Sequence, residues 1–227
     1  MTKVDSRLAG SSTRDHLFYR FWRGLVVLAC KVWFRFSVSG REHIPATGAY
    51  VIAPVHRSNL DTPFVGAAFP TRIRFMGKDS LWKQPWVGRF LSALGGFPVS
   101  RGTADREALK RCFDVVEAGE PVVLFAEGER KSGPIVQPLF DGAVYVAAKY
   151  RVPILPVGIG GSERAMPKGV KFIRPVKVHV EIGAPILTAD RIPATGRVPR
   201  EALSQISSEL HERLQDLFDQ ARIRAGD

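Results

Sequence analysis

The sequence predicts an α/β fold: a single domain in which a mixed, mostly buried sheet is flanked by helices, preceded by an N-terminal amphipathic helical segment. Short apolar runs of strand length alternate along the chain with stretches of helical periodicity, which is the pattern of an α/β layer structure. The predicted strands are apolar throughout rather than at alternate residues, as expected for strands that are covered on both faces. The 227 residues suit one compact domain, and no linker divides residues 38–227.

Residues 1–37 form the predicted N-terminal segment, and its part 14–36 is rich in Leu, Phe, Trp and Val. On a helix, most basic residues of this part share one narrow stripe with Gly24, and the remaining surface is broadly apolar. The stripe consists of His16, Arg20, Arg23, Gly24, Lys31 and Arg35. The uninterrupted apolar run is far shorter than the roughly 20 residues that span a bilayer. We therefore expect a helix, or a helical pair, lying in an anionic membrane surface; a core helix whose basic stripe faces water is the alternative.

The remaining elements follow from local patterns, in chain order. Strands are predicted at residues 38–40, 50–53, 72–76, 97–100, 121–126, 154–157 and 176–182. Helices are predicted at 84–94, 103–118, 139–149 and 200–224. Pro85 suits the start of the first of these helices, while Thr103 as N-cap and Gly119 after the end delimit the second.

The composition restricts the classes of function. A net charge of +11 predicts affinity for polyanions, which include nucleic acid, anionic membranes and phosphorylated substrates. Cys30 and Cys112 lie in apolar helical patterns and form no C-x-x-C pair, so a disulfide framework or a zinc site is not expected. The polar N-terminus lacks the apolar core of a signal peptide. Basic residues cluster at 164–174 without a nucleic-acid-binding signature, and no nucleic acid partner is expected.

The first motif with chemical potential is the pair His56 and Asp61, which follows a predicted apolar strand. In α/β folds, ligand sites lie at the carboxyl ends of strands. A histidine can act as a general base near neutral pH, and a carboxylate can hold its tautomer. Two residues five apart can meet if the histidine precedes a helix and the aspartate lies in its first turn or two.

Three further motifs follow the later predicted strands. The segment Gly95–Arg101 reads G-G-F-P-V-S-R, and Arg101 can bind phosphate through both guanidinium edges. The segment Glu127–Arg130 reads E-G-E-R; Gly128 permits close approach of the loop to a ligand, and Arg130 offers a second anion contact. The segment 152–157 reads V-P-I-L-P-V, and its two prolines suit a pocket wall or a sheet edge.

In this order and spacing, the four motifs resemble those of the lysophosphatidic acid acyltransferase (1-acyl-sn-glycerol-3-phosphate acyltransferase) family. The matching patterns are H-x-x-x-x-D, G-x-x-P-V-x-R, E-G-x-R and V-P-x-x-P-V. The lead-in at 38–45 and the segment at 77–82, which contains Lys78, are similar as well. The resemblance covers about residues 38–185, which is most of the chain.

The resemblance implies that residues 38–227 are a glycerolipid acyltransferase domain. Such an enzyme moves a fatty acyl group from acyl-CoA or acyl carrier protein to the free hydroxyl of a lysophospholipid, here 1-acyl-sn-glycerol-3-phosphate giving phosphatidic acid. His56 and Asp61 would be catalytic, and no acyl-enzyme, metal or cofactor beyond the thioester co-substrate is expected. Substrate binding would fall to Lys78, Arg101, Glu127, Gly128 and Arg130. The expected location is peripheral or monotopic, on the cytoplasmic face of the cell membrane.

Two departures from the family pattern keep the acceptor open. Val55 stands where the family often has Asn, and Glu129 stands where it usually has Thr. Glu129 adds negative charge beside the expected phosphate site, so lyso-ornithine lipids, lysoglycolipids and other lysophospholipids are alternative acceptors. A non-catalytic basic membrane-binding protein is the alternative of another class. The other four histidines, His16, His43, His179 and His211, are expected to be structural or exposed.

Overall fold

A seven-stranded mixed sheet forms the centre of the fold, in the order β1-β7-β6-β2-β5-β3-β4. The structure is a computed structural model that describes residues 13–99, 105–193 and 197–227. The strands are β1 Ser37–Ser39, β2 Val51–Pro54, β3 Arg74–Lys78, β4 Gly96–Val99, β5 Val122–Val123, β6 Ile154–Gly160 and β7 His179–Ile182. Strands β2 to β6 run parallel to one another, whereas β7 is antiparallel to β6 and carries β1 beside it. The predicted mixed sheet is therefore confirmed.

Helices cover both faces of this sheet. They are α1 Thr13–Phe34, α2 Asp61–Ala68, α3 Pro85–Ala93, α4 Asp105–Glu117, α5 Gly142–Tyr150, α6 Ser162–Ala165 and α7 Arg200–Ala225. On one face, α4, α5 and α7 pack together, and on the other α1 contacts α2 and α3. The central strands β2 and β6 are buried along their whole length, as their continuous apolar sequences predicted.

The long helix α7 lies directly on β6 because two glycines leave room for its backbone. A Cβ at Gly158 would lie 2.2 Å from the carbonyl oxygen of Leu217, and one at Gly160 would lie 2.1 Å from that of Ala221. The apolar side of α7, including Leu210 and Leu214, is fully buried in the core. This contact holds the C-terminal part of the chain against the strand beside β2.

The bounds of several elements differ from those predicted. The strand expected at 121–126 is the two-residue β5, because the chain turns away after Leu124 to form the loop with the E-G-E-R motif. The strand expected at 72–76 begins and ends two residues later, as β3. Thr103, the expected N-cap of α4, lies outside the described residues.

Candidate active site

The expected site residues converge on one edge of the sheet. Strands β2, β5, β3 and β4 are parallel neighbours, so their carboxyl ends meet there. His56 follows β2, the loop from Glu127 follows β5, and Lys78 ends β3. Lys78 is paired in register with Val99, the last residue of β4, so β4 ends at the same edge. Arg101 itself lies outside the described residues.

His56 and Asp61 form a hydrogen-bonded pair. Asp61 is the first residue of α2, and its Oδ2 lies 2.9 Å from His56 Nδ1. The same oxygen accepts the backbone N–H groups of Arg57 at 2.6 Å and Ser58 at 2.7 Å, so the buried carboxylate is held in one orientation. Because the Asp61 carboxylate accepts a hydrogen bond from Nδ1–H, the neutral ring carries its proton on Nδ1 and presents Nε2 as an acceptor.

One face of the His56 ring packs against an aromatic side chain. It stacks on Phe125, with ring centroids 3.9 Å apart and an interplanar angle of 20°. The His56 side chain keeps 18% of its surface exposed, whereas that of Asp61 has none. The arrangement therefore offers solvent or substrate the imidazole and shields the carboxylate, which is the geometry a general base requires.

Arg57 is a residue of the site that the sequence reasoning missed. Its side chain is fully buried and forms an ion pair with Glu127, Nη1 to Oε2 at 2.6 Å. The same guanidinium donates to the carbonyl oxygens of His56, Gly133 and Ile135. A buried arginine with no partner would be very costly, so this network fixes the loops that it joins. The available signal is the arginine inside the H-x-x-x-x-D motif, directly after the histidine.

The Glu127 carboxylate points into this network. Its Oε2 accepts the His56 backbone N–H at 3.1 Å, and its Oε1 accepts the backbone N–H of Gln137 at 2.9 Å. The side chain has no exposed surface, so the geometry gives Glu127 the task of positioning the loop rather than contacting a ligand.

Gly128 occupies a position that only glycine fits. Its φ is +70°, and a Cβ there would lie 2.7 Å from the Phe140 ring. The loop after Gly128 returns to the dyad, where the Lys131 N–H donates to the His56 carbonyl at 2.9 Å. In the same loop, between Gly128 and Lys131, the Arg130 side chain is half-buried. Glu129 forms an ion pair of 2.8 Å with Lys131. The negative charge of Glu129 is therefore partly offset by its neighbour.

An apolar cavity of about 580 Å³ adjoins the dyad, lined by β3, α4, the segment that follows β5, and the start of α5. We call it the α4–α5 chamber. Phe125, which carries the His56 ring, is part of its wall, together with Met76, Leu109, Cys112, Leu124 and Phe140. Burial raises the pKa of the Cys112 thiol to about 12, so Cys112 contributes a neutral wall and not a nucleophile. The volume lies within the roughly 300–1,000 Å³ of small-molecule sites.

The remaining histidines make structural contacts or are exposed. His179 is bound between Ser37, at 2.8 Å, and Glu181, at 3.1 Å. His43 Nδ1 bonds the Ile182 carbonyl and His211 Nε2 that of Val136, while His16 is exposed on α1.

Comparison with known proteins identifies the family. Residues 35–160, more than half of the chain, match the family model described as Acyltransferase. A 1-acyl-sn-glycerol-3-phosphate acyltransferase of Bacillus subtilis is 31% identical over 186 residues, covering 80% of this chain and 90% of that protein. The chain belongs to the acyltransferase family. This acyltransferase is thus an enzyme of lipid metabolism, related to the 1-acyl-sn-glycerol-3-phosphate acyltransferases, as the four motifs indicated.

Two further relatives match over a shorter stretch or at lower identity. A protein of the same name from Helicobacter pylori is 31% identical over 136 residues, covering 57% of this acyltransferase and 56% of that protein. Among solved structures, the 1-acyl-sn-glycerophosphate acyltransferase of Thermotoga maritima has a similar fold. The TM-score is 0.69 at 24% identity, over 91% of this chain and 84% of that one.

Proposed function

We propose that this acyltransferase moves a fatty acyl group from a thioester, acyl-CoA or acyl carrier protein, to the free hydroxyl of 1-acyl-sn-glycerol-3-phosphate. The observation that carries the proposal is the His56–Asp61 pair, 2.9 Å apart, beside the apolar α4–α5 chamber. An imidazole held as a base next to a space for a hydrocarbon chain suits acyl transfer to an alcohol. The name of the Bacillus subtilis relative supports the choice of acceptor.

In the proposed reaction, His56 Nε2 removes the proton of the acceptor hydroxyl as its oxygen attacks the thioester carbonyl. Asp61 stabilises the resulting imidazolium through Nδ1–H. The tetrahedral intermediate collapses with cleavage of the C–S bond, and the imidazolium returns the proton to the leaving thiolate. The ester, the free thiol and neutral His56 are the products. Every step uses groups of the chain and the two substrates.

The α4–α5 chamber is the proposed site of the donor's acyl chain. If a methylene group takes about as much space as a water molecule, about 30 Å³, its volume of about 580 Å³ accommodates on the order of twenty carbons. Its wall continues to Phe125 under His56, which would place the thioester end of the chain at the dyad.

Lys78, Arg101 and Arg130 are the proposed ligands of the acceptor phosphate. Lys78 is the last residue of β3 and Arg130 lies in the loop after β5, so both are at the catalytic edge. Arg101 remains an expectation from its motif. The sequence position of Glu129 argued against a phosphate-bearing acceptor because of its negative charge. Since Glu129 forms an ion pair with Lys131, its charge is partly offset, and a phosphate acceptor becomes more favourable. Lyso-ornithine lipids, lysoglycolipids and other lysophospholipids remain the alternatives to test.

Binding to an anionic membrane surface, on the cytoplasmic face of the cell membrane, is the second part of the proposal. Helix α1 has an outward stripe of exposed apolar side chains: Leu17, Phe21, Leu25, Leu28 and Val32. Exposed basic residues, among them Arg20 and Lys31, border the stripe. In the described part of the chain, no helix has both the length and the hydrophobicity to cross a bilayer. The pattern suits a helix that lies in the membrane interface.

Acceptor-dependent release of thiol from palmitoyl-CoA by the purified protein in detergent micelles tests the reaction. Lysophosphatidic acid should stimulate release with the wild type and not with His56→Ala. Asp61→Asn preserves the shape of the pair and should lower kcat by about 10⁴-fold, by analogy with serine protease triads. Asp190→Asn, at an exposed aspartate, is the matched control and should behave as the wild type.

Wild-type-like turnover by His56→Ala would refute the proposed mechanism. If the wild type is silent with lysophosphatidic acid, acyl carrier protein donors and the alternative lyso-lipids come next. Silence across that panel would make a non-catalytic, basic membrane-binding role the leading interpretation.

A further inference from the structure

A second apolar chamber lies on the opposite face of the sheet, between α1, α2, β3 and α3. Its volume is about 240 Å³, and we call it the α1–α2 chamber. Phe75 of β3 lines it, whereas the next residue, Met76, lines the α4–α5 chamber. Because successive side chains of a strand point to opposite faces, the sheet separates the two chambers.

The α1–α2 chamber extends from the catalytic edge of the sheet to the opposite edge. Thr62 lines it, and Thr62 follows Asp61 in the first turn of α2. Ile73 and Leu94 also line it, and these residues precede β3 and β4. Most of the lining residues are half-buried, so the chamber is open to the surroundings. A chain could enter it while its head lies near the dyad.

Two polar side chains in the wall are already engaged with the protein. The Arg23 guanidinium donates to the carbonyl oxygens of Gly66, Ala67 and Phe69, at 3.3, 3.2 and 2.8 Å, and so caps the end of α2. The Tyr19 hydroxyl donates to the Thr71 carbonyl. The other lining side chains are mainly apolar. The chamber therefore suits a hydrocarbon chain.

We infer that the α1–α2 chamber holds the hydrocarbon chain that the acceptor lipid already carries. This inference rests on the proposed function, since a reaction that adds an acyl chain to a lysolipid brings two hydrocarbon chains to one dyad. The larger chamber accommodates the chain of the thioester. The smaller one is bordered by α1, whose outer face is the proposed membrane contact. At about 30 Å³ per group, its volume of about 240 Å³ fits on the order of eight methylenes, and the rest of a long chain extends beyond it.

Gly66 provides a way to fill this chamber. It lines the space, and a Cβ added there would meet nothing within 4 Å. With palmitoyl-CoA as donor, KM is measured for lysophosphatidic acids from hexanoyl to stearoyl. Wild-type KM should fall as the acceptor chain lengthens. In Gly66→Leu, KM for the long-chain acceptors should rise about tenfold, roughly the effect of losing two buried methylene contacts, and the dependence on acceptor chain length should flatten.

Gly142→Leu is the matched variant in the other chamber. Gly142 lines the α4–α5 chamber, and its added Cβ would make only an ordinary contact of 3.9 Å with Leu109. This variant should change the preference for donor chain length and leave the preference for acceptor chain length as in the wild type. Thermal unfolding of both variants shows whether each is folded.

A binding experiment without turnover separates the inference from the proposed function. Lysophosphatidic acid with an octanoyl chain, short enough for the chamber and with a diazirine near its end, is photolysed with the protein in the absence of donor. Labelling of α1, α2 or α3 is the expected result, even if the wild type proves inactive. Labelling confined to α4 and α5, or no labelling, would overturn the inference. An active Gly66→Leu enzyme with unaltered dependence on acceptor chain length would overturn it as well.

Discussion

At the scale of residues, the ion pair between Arg57 and Glu127 supports the dyad. Both side chains have no exposed surface, and their closest atoms are 2.6 Å apart. Glu127 also accepts the His56 N–H, and Arg57 donates to the His56 carbonyl. The peptide groups on both sides of the candidate base are thus bound to one buried pair. His56 is therefore positioned from its backbone as well as through its ring.

Arg57→Met should lower the free energy of unfolding by about 3–5 kcal/mol, because it leaves the Glu127 carboxylate buried without its cation. Urea denaturation measures this loss. The double variant Arg57→Met with Glu127→Leu should lose less free energy of unfolding than the two single variants lose together. The control is Arg213→Met, since Arg213 forms a partly exposed pair with Glu209 that should contribute less than about 1 kcal/mol. Equal effects of the two arginine substitutions would contradict this interpretation.

At the scale of elements, α1 has two different apolar faces. Tyr19, Cys30 and Phe34 are buried against the domain, while Phe21 and Leu28 on the outward face are 62% and 58% exposed. Arg23 departs from the predicted basic stripe because its guanidinium caps α2 instead of facing lipid. A helix attached to its domain by one face and apolar on the other suits contact with a membrane surface.

Phe21→Ser combined with Leu28→Ser should weaken vesicle binding at least about a hundredfold, since each side chain contributes roughly 1.5–3 kcal/mol when it leaves water. Co-sedimentation with vesicles of mixed zwitterionic and anionic lipid measures the affinity. The control pair, Leu187→Ser with Ile223→Ser, also replaces exposed apolar side chains but lies outside α1. A similar loss of binding in both pairs would remove the special role of α1.

At the scale of the whole molecule, the net charge of +11 should govern how strongly the protein binds anionic surfaces. Basic residues near such a surface contribute about 1 kcal/mol each, and salt shortens the range of the field to about 3 Å at 1 M. Binding to vesicles with phosphatidylglycerol should therefore exceed binding to phosphatidylcholine vesicles at low salt. The difference should largely disappear at high salt. A preference that does not respond to salt would indicate recognition of a particular headgroup.

Much of the site could be predicted from local patterns. The pairing of His56 with Asp61 required only a strand followed by a loop and a helix, and α2 begins at Asp61 as that argument needed. The ends of elements were less predictable. The strand β5 ends just before Leu124, although the apolar sequence continues. Its end is decided by where hydrogen bonding to the neighbouring strand stops, and not by residue type. The pairing of Glu127 with Arg57 also escaped prediction, because it is a contact between residues 70 positions apart.

The sequence by itself determined the fold class, the amphipathic first helix and the chemistry available at the catalytic edge, because these depend on periodicity and on motifs of a few residues. Only the tertiary structure decided which charged side chains bind other groups of the protein instead of facing outward, as Arg23 and Glu127 do. It also decided that two apolar chambers lie on opposite faces of one sheet. The physical reason is that a cavity or a buried ion pair is formed by side chains from distant segments, whose packing no local pattern encodes.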